Sequence, residues 1–208
     1  GVMAQKGLDN LAMDDIAQAA GVAKGTLYLY FQSKEELLHL ILDDCLSTLV
    51  ERVLQALEGM EDPRARLRTI IRTHLEEMER RGEQMRVLAH EWKSLSGPYG
   101  EGIRKLMREY AEIVIRIFRD LSPGKGPDEL RAAAFGLFGM LTWVDQWHRP
   151  KRDLAPGLLA EEFSSIFLGE FLTDTSARAD GSGSDKEESQ REWSRKDSTS
   201  SILSGPGF

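Results

Sequence analysis

The feature that most constrains the fold of this chain is an uninterrupted helical pattern that opens at Ser33 and stops near Gly59. Ser33-Lys34-Glu35-Glu36 reads as a capping box, in which the Ser33 hydroxyl accepts from the backbone N–H of Glu36 while the Glu36 carboxylate reaches back. Leu38, Leu42, Cys45, Leu49, Val53 and Ala56 then fall on one helical face. Asp62-Pro63 restarts the pattern, with Asp as N-cap and Pro at the first helical position. Further breaks fall at Gly82, at Ser96-Gly97-Pro98, from Ser122 to Pro127 and around Pro150 to Pro156. The segments between them have helical length and period, and no alternating apolar/polar run is bounded by hairpin turns. The expected class is all-α, with about nine helices including short ones at the N-terminus.

Composition narrows the functional classes. The single Cys45 excludes an internal disulfide framework and a Cys-rich zinc site, and suits a cytoplasmic protein. The longest uncharged run, Ala132 to Val144, is well short of the roughly 20 residues that cross a bilayer. No basic-then-apolar leader opens the chain, so neither export nor membrane insertion is expected. With 27 basic against 34 acidic residues and a pI near 5.2, the chain cannot bind nucleic acid by bulk charge. Any such binding must be local. From 174 to 208 the composition turns to Ser, Gly, Asp, Glu and Lys, which predicts a disordered tail or a weak docking segment.

The most specific stretch runs from Met13 to Phe31. It reads as a short helix, a tight turn at Gly21 and a second short helix, with Ile16, Ala20, Val22, Leu27 and Phe31 as a small core. This is helix-turn-helix logic, with the second helix in the major groove of DNA.

Gly21-Val22-Ala23-Lys24-Gly25-Thr26-Leu27-Tyr28-Leu29-Tyr30-Phe31, followed by Ser33-Lys34-Glu35-Glu36-Leu37-Leu38, resembles the signature of the tetracycline-repressor (TetR) family. The helical layout to residue 172 is similar to that family's nine-helix plan. The resemblance implies a three-helix DNA-binding headpiece over 1–46, its helix-turn-helix at about 12–31, and a ligand-binding and dimerisation domain over 47–173. It implies that Lys24, Gly25, Thr26, Tyr28, Tyr30 and Lys34 face DNA. Two departures stand out. Val2 to Gly7 matches only the last turns of the family's first helix, and Leu11-Ala12 replaces the Thr or Ser common before the second. Residues 1–45 carry three basic side chains (Lys6, Lys24, Lys34) against seven acidic ones, a net of −4 that is poor for DNA.

The helix from Leu130 to His148 bears on assembly. One apolar stripe runs Leu130, Ala134, Leu137, Leu141, Val144; a second runs Ala132, Gly136, Met140, Trp143, Trp147. Such a helix needs cover on several sides, and with Leu159, Phe163, Ile166, Phe167 and Phe171 it can close a four-helix homodimer interface. Trp92, Met107, Tyr110, Phe118, Phe135, Phe138 and Trp143 are candidate linings of an effector cavity. Arg104 and Arg108, with Arg86 and His90, are candidates for an anionic group. A weaker resemblance joins His90 to Leu95, Arg108 to Tyr110 and Gly139 to Pro150 to acyl-CoA-responsive members of the family.

Enzyme signatures are missing from the sequence. It has no Gly-x-Ser-x-Gly elbow, no His-Glu-x-x-His and no Cys-pair metal site, and Gly124-Lys125-Gly126 lacks phosphate-loop spacing. His39, His74, His90 and His148 form no i,i+4 pair. The sequence thus predicts a non-enzymatic regulator without a cofactor. Its expected role is a homodimeric repressor of lipid or fatty-acid metabolism, released from a palindromic operator by an acyl-CoA. The alternative is a regulator of drug efflux that answers to lipophilic compounds.

Overall fold

The computed structural model describes residues 3, 7, 9–149 and 152–177, the side chains of 170–177 excepted. Among these lie eight α-helices, one 3-10 turn and no strand: α1 (Met13–Ala20), α2 (Lys24–Tyr30), α3 (Lys34–Leu57), α4 (Pro63–Arg80), α5 (Gly82–Glu91), the 3-10 turn Trp92–Ser94, α6 (Gly97–Leu121), α7 (Pro127–Trp147) and α8 (Pro156–Ala177). The protein is all-α, as expected. The helix expected before α1 lies outside the described residues except for Met3, which is buried, and Gly7, whose N–H donates to the Met3 carbonyl at 3.0 Å. Everything up to Phe171 belongs to one compact unit. The other, Leu172–Phe208, is described only as the end of α8, so 174–177 continue a helix and the rest of the expected tail lies outside the described residues.

The long helix α3 forms as its sequence demands. Ser33 Oγ accepts from Glu36 N at 3.1 Å, while the Glu36 carboxylate takes the N–H of Gln32, at 2.6 Å, one residue before the position expected. Leu38, Leu42, Cys45, Leu46, Leu49, Val53 and Leu57 are buried. The stripe therefore ends on Leu57, with Ala56 only half-buried at its edge. Helix α4 starts where Asp62 accepts from Arg64 N and Ala65 N, with Pro63 in the first turn. At the start of α7, Glu129 accepts from Gly126 N at 2.8 Å.

Helix α3 packs on α4, α5 and α6; α6 also packs on α4 and α7. The core this creates runs continuously from Leu38 and Leu42 through Ile70, Ile71, Ile103 and Phe118 to Leu137 and Leu141. Helix α8 closes it with Leu159, Ala160, Phe163 and Leu168, and Phe118 meets Phe167 at 5.7 Å between ring centres. Among the described residues one carboxylate is buried: Glu77 of α4, held by Arg52 of α3 and Arg80. Cys45 lies in the core with its sulfur 3.5 Å from that of Met85, and burial pushes its thiol up to about 11. Gly100 allows a close approach of α6 to the preceding loop, since a Cβ there would collide with the Leu95 carbonyl.

Candidate nucleic-acid interface and effector region

The two short helices hold their own small core. Met13 and Ala17 of α1 pack on Leu27 of α2, with Ile16 and Phe31 half-buried against them. Ala20 and Val22, expected in this core, are exposed. The reason is local: Met13 and Ala17 are one turn apart on the same face, and Gly21, at φ 68°, turns the chain through a left-handed C-cap that carries Val22 outward. Ala12 offers no side-chain cap, as the sequence implied, and Asp15 compensates in part by accepting from Ala12 N at 2.9 Å.

With Leu27 turned in, every other residue of α2 is exposed. Tyr28 is 47% exposed, Tyr30 74% and Leu29 82%. The residues expected to face DNA are therefore all on the solvent side of α2 except Lys34, which opens α3. Lys34 Nζ lies 3.5 Å from the Asp9 carbonyl. Lys24 is held by Asp14, with Nζ 2.7 Å from its carboxylate, and that hydrogen bond and charge raise the pKa of the ammonium. This long-range pairing was not legible in the spacing of the two residues, and it sets Asp14 in competition with any phosphate.

The two stripes of α7 have different fates. Leu130, Ala134, Leu137, Leu141 and Val144 are buried within the subunit. Ala132, Gly136, Trp143 and Trp147 are exposed and Met140 is half-buried. Trp143, at 65% exposed, and Phe135, at 57%, are large apolar groups open to solvent, as are Leu158 and Ile166 of α8.

The expected effector residues are not brought together in one place. Tyr110 and Phe138 meet, with ring centres 5.2 Å apart, and Tyr110 OH lies 3.1 Å from Nδ1 of the buried His74. Burial lowers the His74 pKa to about 4 and raises that of Tyr110, so both are neutral at pH 7. Met107, Trp92 and Arg104 are half-buried; Lys93 sits over the Trp92 ring at 5.5 Å, and Arg108 is exposed. Phe118 is fully buried in the core, while Phe135 and Trp143 lie on the open face. Arg86 and His90 turn to a carboxylate: Arg86 Nε is 2.8 Å and His90 Nε2 3.9 Å from Asp145, whose side chain is 10% exposed. Near that pair a groove of about 330 Å³ runs between α4, α5, α7 and α8, lined by Leu75, Met78, Glu79, Arg86, Val144, Asp145, His148, Arg149 and Leu159 among others. The sequence did not single out Leu75 and Met78, which read as ordinary core, and it placed Leu159 at the dimer interface.

Comparison with known proteins identifies the fold. Residues 1–41 match the profile of bacterial regulatory proteins of the tetR family, and residues 60–171 match that of the tetracyclin repressor-like C-terminal domain. The chain belongs to the TetR family. The HTH-type transcriptional repressor KstR2 of Mycolicibacterium smegmatis is 27% identical over 172 residues, covering 81% of this chain and 84% of that protein. A TetR-family regulator from Bordetella parapertussis superposes with a TM-score of 0.77 at 27% identity, over 80% of this chain and 88% of that one. AibR, solved with isovaleryl coenzyme A and operator DNA, shares the fold with a TM-score of 0.72 at 24% identity, over 80% and 92% of the two chains. This TetR chain is accordingly a ligand-responsive transcriptional repressor with an N-terminal helix-turn-helix domain.

The charge pattern of the TetR headpiece has a measurable consequence. Lys34→Ala is expected to weaken DNA binding about equally on all sequences and to reduce the salt slope by about one. Asp14→Asn removes the partner of Lys24 and one negative charge beside it, and is expected to tighten binding and steepen that slope. Salt titrations by fluorescence anisotropy check both; an unchanged slope in Lys34→Ala would remove that residue from the interface.

Proposed function

We propose that this chain is a homodimeric repressor of lipid or fatty-acid metabolism whose effector is an acyl-CoA. The observation that carries the effector reading is the groove between α4, α5, α7 and α8, where Arg149 adjoins apolar Leu75, Met78, Val144 and Leu159, while Arg86 is paired with Asp145 and Glu79 lies in the same lining. An acyl-CoA combines the two chemistries, a polyanionic head and an apolar chain. Met78, which lines the groove, lies one turn from His74 on α4. The short likenesses at His90 to Leu95 and Gly139 to Pro150 support the same ligand class. For the dimer, the support is the open apolar face of α7 and α8, which a second copy would cover about a two-fold axis.

Helix α3 supplies the link between the two activities. Lys34 stands at its DNA end, and Leu49, Val53 and Leu57 are buried among α4 and α6 at the other. A ligand that prefers one tilt of this lever changes the spacing of the two recognition helices. Shifting the bound form from 99:1 to 1:99 takes about 5.5 kcal/mol of differential affinity, and operator DNA must weaken ligand binding by the factor by which ligand weakens DNA binding.

The test is a titration of the operator complex with short- and long-chain acyl-CoAs, free fatty acids and neutral lipophilic drugs. Release by an acyl-CoA, lost in Arg149→Ala, is expected. Release by neutral lipophiles alone would overturn the acyl-CoA reading in favour of a drug-responsive efflux regulator.

A further inference from the structure

The most exposed large side chain of α2 is one that neither polarity nor charge would select. Leu27 marks the buried side of α2. At about 100° per residue, Leu29 lies about 200° around the helix from Leu27 and Gly25 about 160°. Both stand opposite the headpiece core, one turn apart. Leu29 is 82% exposed, more than any other large hydrophobic residue described. Gly25 has nothing within 4 Å of where a Cβ would lie, and its φ is not positive, so neither crowding nor backbone requires glycine there. The centre of the DNA-facing surface is therefore a leucine beside an open notch.

The rest of α2 limits how bases can be read. Its sequence, KGTLYLY, contains no Arg, Asn or Gln, and of the side chains that make bidentate contacts to guanine or adenine it carries only Lys24. Lys24 is occupied by Asp14, and Thr26, Tyr28 and Tyr30 bring hydroxyl groups that serve phosphates as readily as bases. Among major-groove edges the apolar group is the C5 methyl of thymine. The geometry points to Leu29 as a specificity-determining residue that packs on a thymine methyl in each operator half-site. The notch at Gly25 lets the helix approach closely enough for that contact. This reading rests on DNA binding by α2.

The experiment uses the full chain and an operator selected from random duplexes. Each thymine of the half-site is replaced in turn, on both halves, by deoxyuridine, which removes only the methyl. At one position the wild-type protein is expected to lose about 4-fold in affinity per half-site, or about 15-fold for the palindrome, as burial of one methyl group implies. Leu29→Ala should bind the thymine operator more weakly and be indifferent to deoxyuridine there, whereas Leu29→Met should keep the dependence. Since the side chain is exposed, both variants should melt with the wild type. Absence of any methyl-dependent thymine, or full methyl dependence in Leu29→Ala, would overturn the assignment. Failure to enrich any sequence would instead contradict DNA binding itself, and this proposal with it.

Discussion

Trp143→Glu is expected to convert the protein from dimers to folded monomers. Trp143 and Phe135 are exposed in the single subunit, so a charge at 143 leaves the subunit core of Leu137, Leu141 and Val144 intact. In a two-fold interface each substitution occurs twice, and each buried unpaired carboxylate costs several kcal/mol. Together they should weaken dimerisation by on the order of 10⁴-fold, and operator binding should fall with it because each monomer reaches a single half-site. Phe167, which the apolar pattern of the sequence also placed at the interface, is a poorer probe. It packs on Phe118 inside the subunit, and a charge there would unfold the chain. Sedimentation velocity and thermal melting of wild type and Trp143→Glu decide the matter. A dimer that survives the substitution, or a well-folded wild-type monomer at micromolar concentration, would contradict the proposed interface.

Acidification is expected to unfold the body through His74. The buried ring has a pKa of about 4, against about 6.5 in an unfolded chain. Between these values the unfolded chain binds a proton that the folded one refuses, so stability falls as pH falls. The contribution is fully present above pH 6.5 and is lost progressively down to about pH 4. The size of the shift corresponds to about 3 kcal/mol. Carboxylates elsewhere respond to acid as well, but they act equally in a His74→Leu variant. The stability difference between wild type and His74→Leu, from urea denaturation at several pH values, should therefore narrow by about 3 kcal/mol between pH 7 and pH 4. A difference independent of pH would show that the ring takes its proton without unfolding.

What could be read from the sequence was what depends on neighbours three or four residues apart. The caps at Ser33 and Asp62, the buried stripe of α3 and the first stripe of α7 follow from local spacing, and each is present. The helix-turn-helix was legible because Gly21 and the string from Lys24 to Lys34 fix both turn and surface. Pairings across the chain were not legible. Nothing local announces that Asp14 holds Lys24, or that Asp145 takes the guanidinium of Arg86 expected to meet an anion. Aromatic residues were ambiguous for a related reason. Phe118, Phe138 and Trp143 have the same chemistry, yet one is core, one borders a buried polar pair and one faces solvent. Only the packing of α6 against α7 separates them.

Two copies of this chain are expected to present paired α2 helices to a symmetric operator. Footprinting of the wild-type protein on its selected operator tests it directly. Two protected half-sites in inverted orientation are expected, centred roughly 34–36 Å or a multiple apart along the duplex, with both lost together in Trp143→Glu. A single asymmetric protected site, fully occupied by that variant at the wild-type concentration, would contradict it.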